Sequence, residues 1–233
     1  MIASTPPDNV SAQVRAEFER EAEKVLAAGA AGFGEFGLTH LSRFPGHPFQ
    51  NVPADHPLMI ALADIAGKAG KVIDIHMDVF DRDATTPTTF KGSNPLRISR
   101  NTEAFERLLA HNRNAKIVLA HFGSDAAGQW SNDLSRGLLS RNSNLHMSIK
   151  FANLPPGSNQ PFTLGGGVSS DWIKLLSEFP DRFVIGSDSF FMPQGGNNTE
   201  FNPKPIQAFL AGLPEPLRNN IALENARRLY SLN

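Results

Sequence analysis

The side chains of this 233-residue chain best suited to chemistry stand at the ends of short apolar runs. Glu35 lies in the run Gly32 to Leu38, and His76 closes Lys71 to His76. His121 closes Lys116 to His121, and Asp188 closes Arg182 to Asp188. Two imidazoles and two carboxylates at matching places form a donor set that suits zinc or manganese. A divalent cation on such a set acidifies a bound water and orients a carbonyl or phosphoryl centre. Asp188 is then the candidate general base for the proton of that water. Taken singly, each residue also has a plainer reading. Glu35 can cap a turn among its glycines, Asp188 can cap a helix or close an Asx turn, and a strand-end His commonly makes an ordinary hydrogen bond. The chain has no Cys, which excludes thiolate nucleophiles, disulfides and Cys-based zinc sites.

Further polar and aromatic residues cluster near the same places. Lys150 lies near the end of the run Leu145 to Phe151 and is a candidate substrate contact, as is Phe190 just past Asp188. With Phe80, Phe122, Phe151 and Phe191, Phe190 can line an apolar pocket or pack beneath the loops. Asp78 shares a face with His76 if the chain is extended there, which allows a supporting carboxylate or a solvated one. His40, His47 and His56 follow the first run; one of them can reach the others, although an ordinary structural role is the expectation for each. Asp125 is expected to shape a loop, and His111 to offset a helix dipole. His146 begins a run rather than ending one, so it belongs at the opposite edge. Gly165 to Gly167 precede a helix but lack the lysine and spacing of a phosphate loop, and no Gly-x-Ser-x-Gly nucleophile turn occurs.

The elements that must position these residues alternate. Apolar spacing predicts a helix over 10–28, a second opened by Pro57, others after Asn101 and around Leu134 and Leu138, and one capped by Ser170. Two more helices are expected over 203–212 and 215–231. Between them fall five runs rich in β-branched and aromatic residues, read as strands. Strands alternating with helices imply parallel pairing and right-handed crossovers. The four candidate ligands then face one mouth, and segments 79–100, 152–169 and 189–203 are expected to form its rim.

Composition narrows the partners. With 22 basic and 23 acidic residues the formal charge is −1, and no basic block suggests nucleic acid. No run reaches the roughly 18 apolar residues of a membrane span, and Met1 to Val10 does not read as a signal peptide. A small-molecule substrate is expected, without nucleic acid or membrane, in a single domain over residues 1–233. A cytoplasmic location is expected for the chain as given.

At these residues the chain resembles the amidohydrolase superfamily, in its amidohydrolase-related branch of metal-dependent hydrolases. The matching segments, in family order, are Gly32 to Leu38, Val72 to Asp78, Ile117 to Gly123, Phe183 to Ser189 and Ile221 to Tyr230. The resemblance implies an α/β fold of the (β/α)₈ TIM-barrel type. It places Glu35, His76, His121 and Asp188 on the fourth, fifth, sixth and eighth strands, and Leu145 to Phe151 on the seventh. The family's His-x-His pair of strand one has no counterpart. Only about five βα units, strands four to eight, are therefore expected, with Ile2 to Pro6 as the tail of a third strand and Met1 as an internal start. The site implied is a weakened single-metal one, with zinc the expected cation and manganese the alternative. The function implied is hydrolysis of a small amide, ester or lactone. The alternatives are a catalytically impaired partial barrel that needs its missing part or a partner, decarboxylation, and nuclease activity. Five strands also leave open edges and an inner face, and Phe36, Ile73 and Val184 are expected to expose a contiguous hydrophobic surface there. Oligomerisation or poor stability follows from that expectation.

Overall fold

The structure, a computed structural model, describes residues 10–122, 127–151, 159–188 and 202–232. Helix α1 (Ala12–Ala27) is capped by Ser11, whose hydroxyl accepts from the Val14 amide. It leads to strand β1 (Gly32–Gly37) and then to α2 (Pro57–Ala69), which has Pro57 in its first turn and ends on Gly70 in a left-handed conformation. Strand β2 (Val72–His76) follows, then a two-residue antiparallel pair, β3 (Ala84–Thr85) and β4 (Arg97–Ile98). The rhythm resumes with α3 (Thr102–His111), β5 (Lys116–Phe122), α4 (Asn132–Arg141), β6 (Leu145–Ile149), α5 (Ser170–Glu178) and β7 (Phe183–Ile185). Helix α6 (Lys204–Ala211) and α7 (Glu215–Asn219) run into a π-helical turn, Asn220–Glu224, and α8 (Asn225–Tyr230).

Five strands pair in parallel in the order β1-β2-β5-β6-β7. This is an α/β fold of the (β/α)₈ type carrying five of its strands, and among the described residues the sheet does not close. Alternation along each strand divides the side chains between two layers. Ile73, Ile75, Ile117, Leu119, Leu145, Met147, Ile149 and Phe183 form the main core with Leu62 of α2, Phe105 of α3, Leu138 of α4 and Trp172 of α5. Helices therefore cover one face.

The other face behaves differently from the exposed apolar surface that its residues predicted. Ile73 belongs to the helix layer and is fully buried, and Phe36 packs partly against that same layer. Val184 lies on the inner face but is covered: with Val72 and Val118 it packs on Leu229, flanked by Ala226 and Tyr230. The C-terminal helix thus folds onto the lower inner face of the sheet. The Asn225 side chain fixes it by donating to the carbonyls of Pro180 and Phe183 at 2.9 and 2.8 Å. The π-helical turn just before Asn225 interrupts what periodicity predicted as one continuous helix. Two smaller differences concern ends. Ser169, not Ser170, precedes α5, without a side-chain cap bond, and β7 stops three residues before Asp188.

Candidate metal centre

All the candidate ligands stand at or just past the C-terminal edge of the parallel sheet. Simple alternation would not aim them at one point. In β5, Ile117 and Leu119 face the helices, so His121 would do so too. The pairing of β5 with β6 shifts between Leu119 and Phe122, returning Phe122 to the helix layer. His121, at φ 69°, turns to the mouth instead. The pairing of β1 with β2 shifts in the same way between Phe33 and Phe36 and releases Glu35 from the helix side. Such bulges re-aim side chains beside functional sites. Gly34 is required there, because a Cβ on it would lie 2.6 Å from the Cβ of Asp74. His76 needs no such device, since it shares the inward set of Val72 and Asp74. Asp188 sits beyond β7 in a left-handed conformation, φ 49°.

The resulting geometry is compact. Glu35, His76 and His121 each offer a ligand atom within 4.8 Å of the others. Glu35 Oε1 is 2.5 Å from His76 Nδ1 and 3.5 Å from His121 Nε2. Asp188 Oδ1 is 3.4 Å from His121 Nε2, and its other oxygen pairs with the Lys150 ammonium. Metal–ligand bonds of roughly 2.0–2.2 Å put tetrahedral ligand atoms about 3.4 Å apart, so both His121 separations suit a zinc-sized cation. The Glu35–His76 contact is a direct hydrogen bond and must open by about 1 Å to admit one. The nitrogen and oxygen donors are of the right kind for zinc or manganese. The residues thus fit a divalent cation.

Burial and charge act against each other in the cluster. Burial pushes the Glu35 carboxyl up, but the His76 hydrogen bond and the His121 and His76 charges outweigh it, and the group is held below its ordinary range. Burial likewise opposes ionisation of Asp188, and the bonds from His121 and Lys150 hold it well below the usual carboxylate range. Asp74, one step inward from His76, is pushed up to about 7 by burial and by the Glu35 charge. Its Oδ1 is buried without a partner.

Residues that sequence reasoning set aside complete the site. Asp78 is a buried hub: Leu41 N donates to its Oδ2 at 2.7 Å, and Arg43 Nη2 to its Oδ1 at 2.7 Å. His40 Nδ1 lies 3.1 Å from Asp78 Oδ2 and 2.9 Å from His76 Nε2. Without a cation, ring protons can run from His40 Nδ1 to His76 Nε2 and from His76 Nδ1 to Glu35; a cation on His76 Nδ1 requires the other tautomer, in which His76 Nε2 donates to His40 Nδ1. The loop carrying His40 is folded back by paired backbone bonds between His40 and Gln50, both 2.9 Å. A cavity of about 940 Å³ opens over the cluster, walled by His40, Arg43, Phe44, His47 and Gln50 on one side and by Trp130, Lys150 and Ser187 on the other. Among the described residues this wall is supplied chiefly by 38–50, a segment not assigned to the rim from sequence, with Val79 contributed by 79–100; residues 152–158 and 189–201 of the expected rim lie outside the described residues. The hint available was the placing of His40 five residues after Glu35 and of Asp78 two after His76.

Apart from His47 in the cavity wall, the remaining described candidates fall elsewhere. Phe80 and Phe122 are fully buried, and Phe151 packs on Phe162 and Phe209. None of the three lines the cavity; large rings after strand ends are held in the core layers by their apolar area. Phe190, Phe191 and Asp125 lie outside the described residues. His47 accepts from the Arg43 amide, His56 from the Leu58 amide, and His111 pairs with Asp64. His146 is the second residue of β6, at the far edge of the sheet.

The chain belongs to the amidohydrolase family, whose model matches residues 3–232. A search of curated proteins finds no match. Among solved structures, an amidohydrolase 2 from Bifidobacterium longum subsp. infantis is similar at 13% identity and TM-score 0.41, over 76% of this chain and 56% of that one. A dihydroorotase from Campylobacter jejuni aligns at 16% identity and TM-score 0.49, over 92% of this chain and 62% of that one. A 2,6-dihydroxybenzoate decarboxylase from Rhizobium aligns at 14% identity and TM-score 0.49, over 92% and 67%. The chain therefore spans 56% and 62% of the length of the first two. No helix of the described residues is long and apolar enough to cross a membrane.

Proposed function

We propose that the chain is a metal-dependent hydrolase of small organic substrates, acting on an amide, ester or lactone bond. The observation that carries this reading is the convergence of Glu35, His76 and His121 within 4.8 Å, on a parallel sheet's C-terminal edge and beneath an open cavity. Glu35, His76, His121 and Asp188 are the residues that would hold a divalent cation, zinc or manganese. When bound, that cation supplies an acidified water and polarises the substrate carbonyl. Asp188 is the general base: it is ionised, stands beside His121, and can take the proton of the attacking water. Lys150 holds Asp188 in place and reaches the cavity, where it also serves as a substrate contact. Phe44 and Trp130 give the cavity apolar walls.

The test is turnover of a panel of small amides, esters and lactones by chelator-treated protein to which zinc or manganese is returned. Asp188→Asn is expected to lower kcat by about 10²–10⁴-fold, with cation affinity disturbed less than in Glu35→Gln. Unchanged turnover in Asp188→Asn would remove its assigned role. A second reading rests on the place of Glu35 on β1, an edge strand among the described residues. There the site holds its cation but is catalytically impaired, and completion by further chain or a second copy is needed. Cation binding without turnover supports that reading over the first.

A further inference from the structure

The side of the proposed centre turned away from the cavity floor carries information about how it is built. A ligating imidazole has two nitrogens, and the partner of the second one fixes the tautomer and ring orientation. His76 uses Nδ1 toward Glu35, and its Nε2 meets His40 Nδ1 at 2.9 Å. The two rings meet edge to face, with centroids 4.3 Å apart. His40 is itself held on two sides. Its backbone is paired with Gln50, and its Nδ1 lies 3.1 Å from Asp78 Oδ2. Asp78 is anchored in turn: its carboxylate receives Leu41 N and Arg43 Nη2, its carbonyl receives Asn101 Nδ2 at 2.7 Å, and its amide donates to Thr39 O at 2.8 Å. The side chains of His40 and Asp78 are only 13% and 12% exposed, so neither is a solvated surface group.

We propose that His40, held beside Asp78 by its backbone pairing with Gln50, is a positioning residue for His76: its Nδ1 accepts the His76 Nε2 proton and so locks the ring with an unprotonated Nδ1 facing Glu35 and His121. This rests on the metal-centre reading above. Without His40, the second nitrogen of His76 loses its protein partner and the ring is free to turn about its Cβ–Cγ bond, taking Nδ1 out of the cluster. The arrangement also ties the cavity wall 38–50 to the metal ligands, because Asp78 grips the loop that carries His40.

The experiment is cation binding by the full chain, measured by competition with a chromophoric chelator, together with the visible spectrum of the cobalt-loaded protein. His40→Ala is expected to weaken zinc binding by about 10–100-fold and to alter the cobalt spectrum, while the melting temperature of the cation-free protein stays near that of wild type. His40→Asn, whose amide can sit where Nδ1 was, is expected to restore most of the affinity and the spectrum. If His40→Ala does not fold, Asp78→Asn serves in its place, with a loss of affinity smaller than tenfold and a shifted spectrum expected. Wild-type affinity and spectrum in His40→Ala, or in Asp78→Asn where that variant is used, overturn the positioning role while leaving the metal centre intact. Equal losses in His40→Ala and His40→Asn also overturn it. Absence of cation binding by the wild-type chain overturns the metal centre, and this inference with it.

Discussion

Left-handed backbone at His121 and Asp188 is where single residues carry most of the design. Non-glycine side chains in that region cost about 1–2 kcal/mol each, and such positions persist where the surroundings impose them. Here the bulge in β5 and the Lys150 pairing do so, and the result is that both groups face Glu35 rather than the helix layer. His146 shows the opposite situation, a half-buried imidazole without a carboxylate hydrogen bond among the described residues. Burial, with the charges of Arg182, Lys116 and Arg228 outweighing that of Asp181, pushes it from 6.5 down to about 4. The folded protein therefore binds fewer protons than the unfolded chain between those values, and stability falls as pH drops from 6.5 through 4. The expected loss is on the order of 2–3 kcal/mol. Urea unfolding at pH 7.5 and 4.5 should show the gap between the two conditions narrowing by about that amount in His146→Gln. An unchanged gap would place the titration elsewhere.

Elements were legible to the extent that their signals are local. Runs such as Val72 to Ile75 and Lys116 to Leu119 have the β-branched and apolar content of buried strands, and the structure has strands there. Strand-end placing also brought Glu35, His76 and His121 into view, because such side chains recur at matching places on successive runs, although each alone has an ordinary structural reading. The bulges were not legible. An extra residue in one strand is defined against its neighbour's register, which no single run contains. His40 escaped for the same reason: its contacts with His76 and Asp78 cross 36 and 38 residues of sequence. The bulge in β1 makes a prediction of its own. Gly34→Ala forces a Cβ to 2.6 Å from Asp74 and should destabilise the chain by about 1–3 kcal/mol. Cation affinity should fall with it, since Glu35 is the next residue. A urea midpoint equal to wild type would mean that β1 and β2 separate more easily than their packing indicates.

On the scale of the molecule, an arc of five parallel strands has two faces to cover, and helices α2 to α5 cover one. The sequence offered no sign that the C-terminal segment would cover part of the other, because Ile221 to Tyr230 reads as one more amphipathic helix. The π-helical turn and Asn225 redirect it, and Leu229 closes over Val72, Val118 and Val184. Leu229 is 4% exposed, so Leu229→Ala should cost about 2–5 kcal/mol and expose the valine cluster. Increased binding of a hydrophobic dye and a lowered melting temperature would register both effects. A melting temperature within a degree of wild type would show that α8 contributes little. Homo-oligomerisation, expected from an uncovered apolar face, has lost that motive at Val184 and Ile73.

The proposed hydrolysis depends on Glu35, His76 and His121 acting as one cation site. The direct measurement is zinc binding to the chelator-treated protein by calorimetry, for wild type and for Glu35→Gln, His76→Ala and His121→Ala. One cation per chain in the wild type is expected, with affinity reduced by at least about 100-fold in each variant. No binding by the wild-type chain, or wild-type affinity in all three variants, would contradict the metal centre.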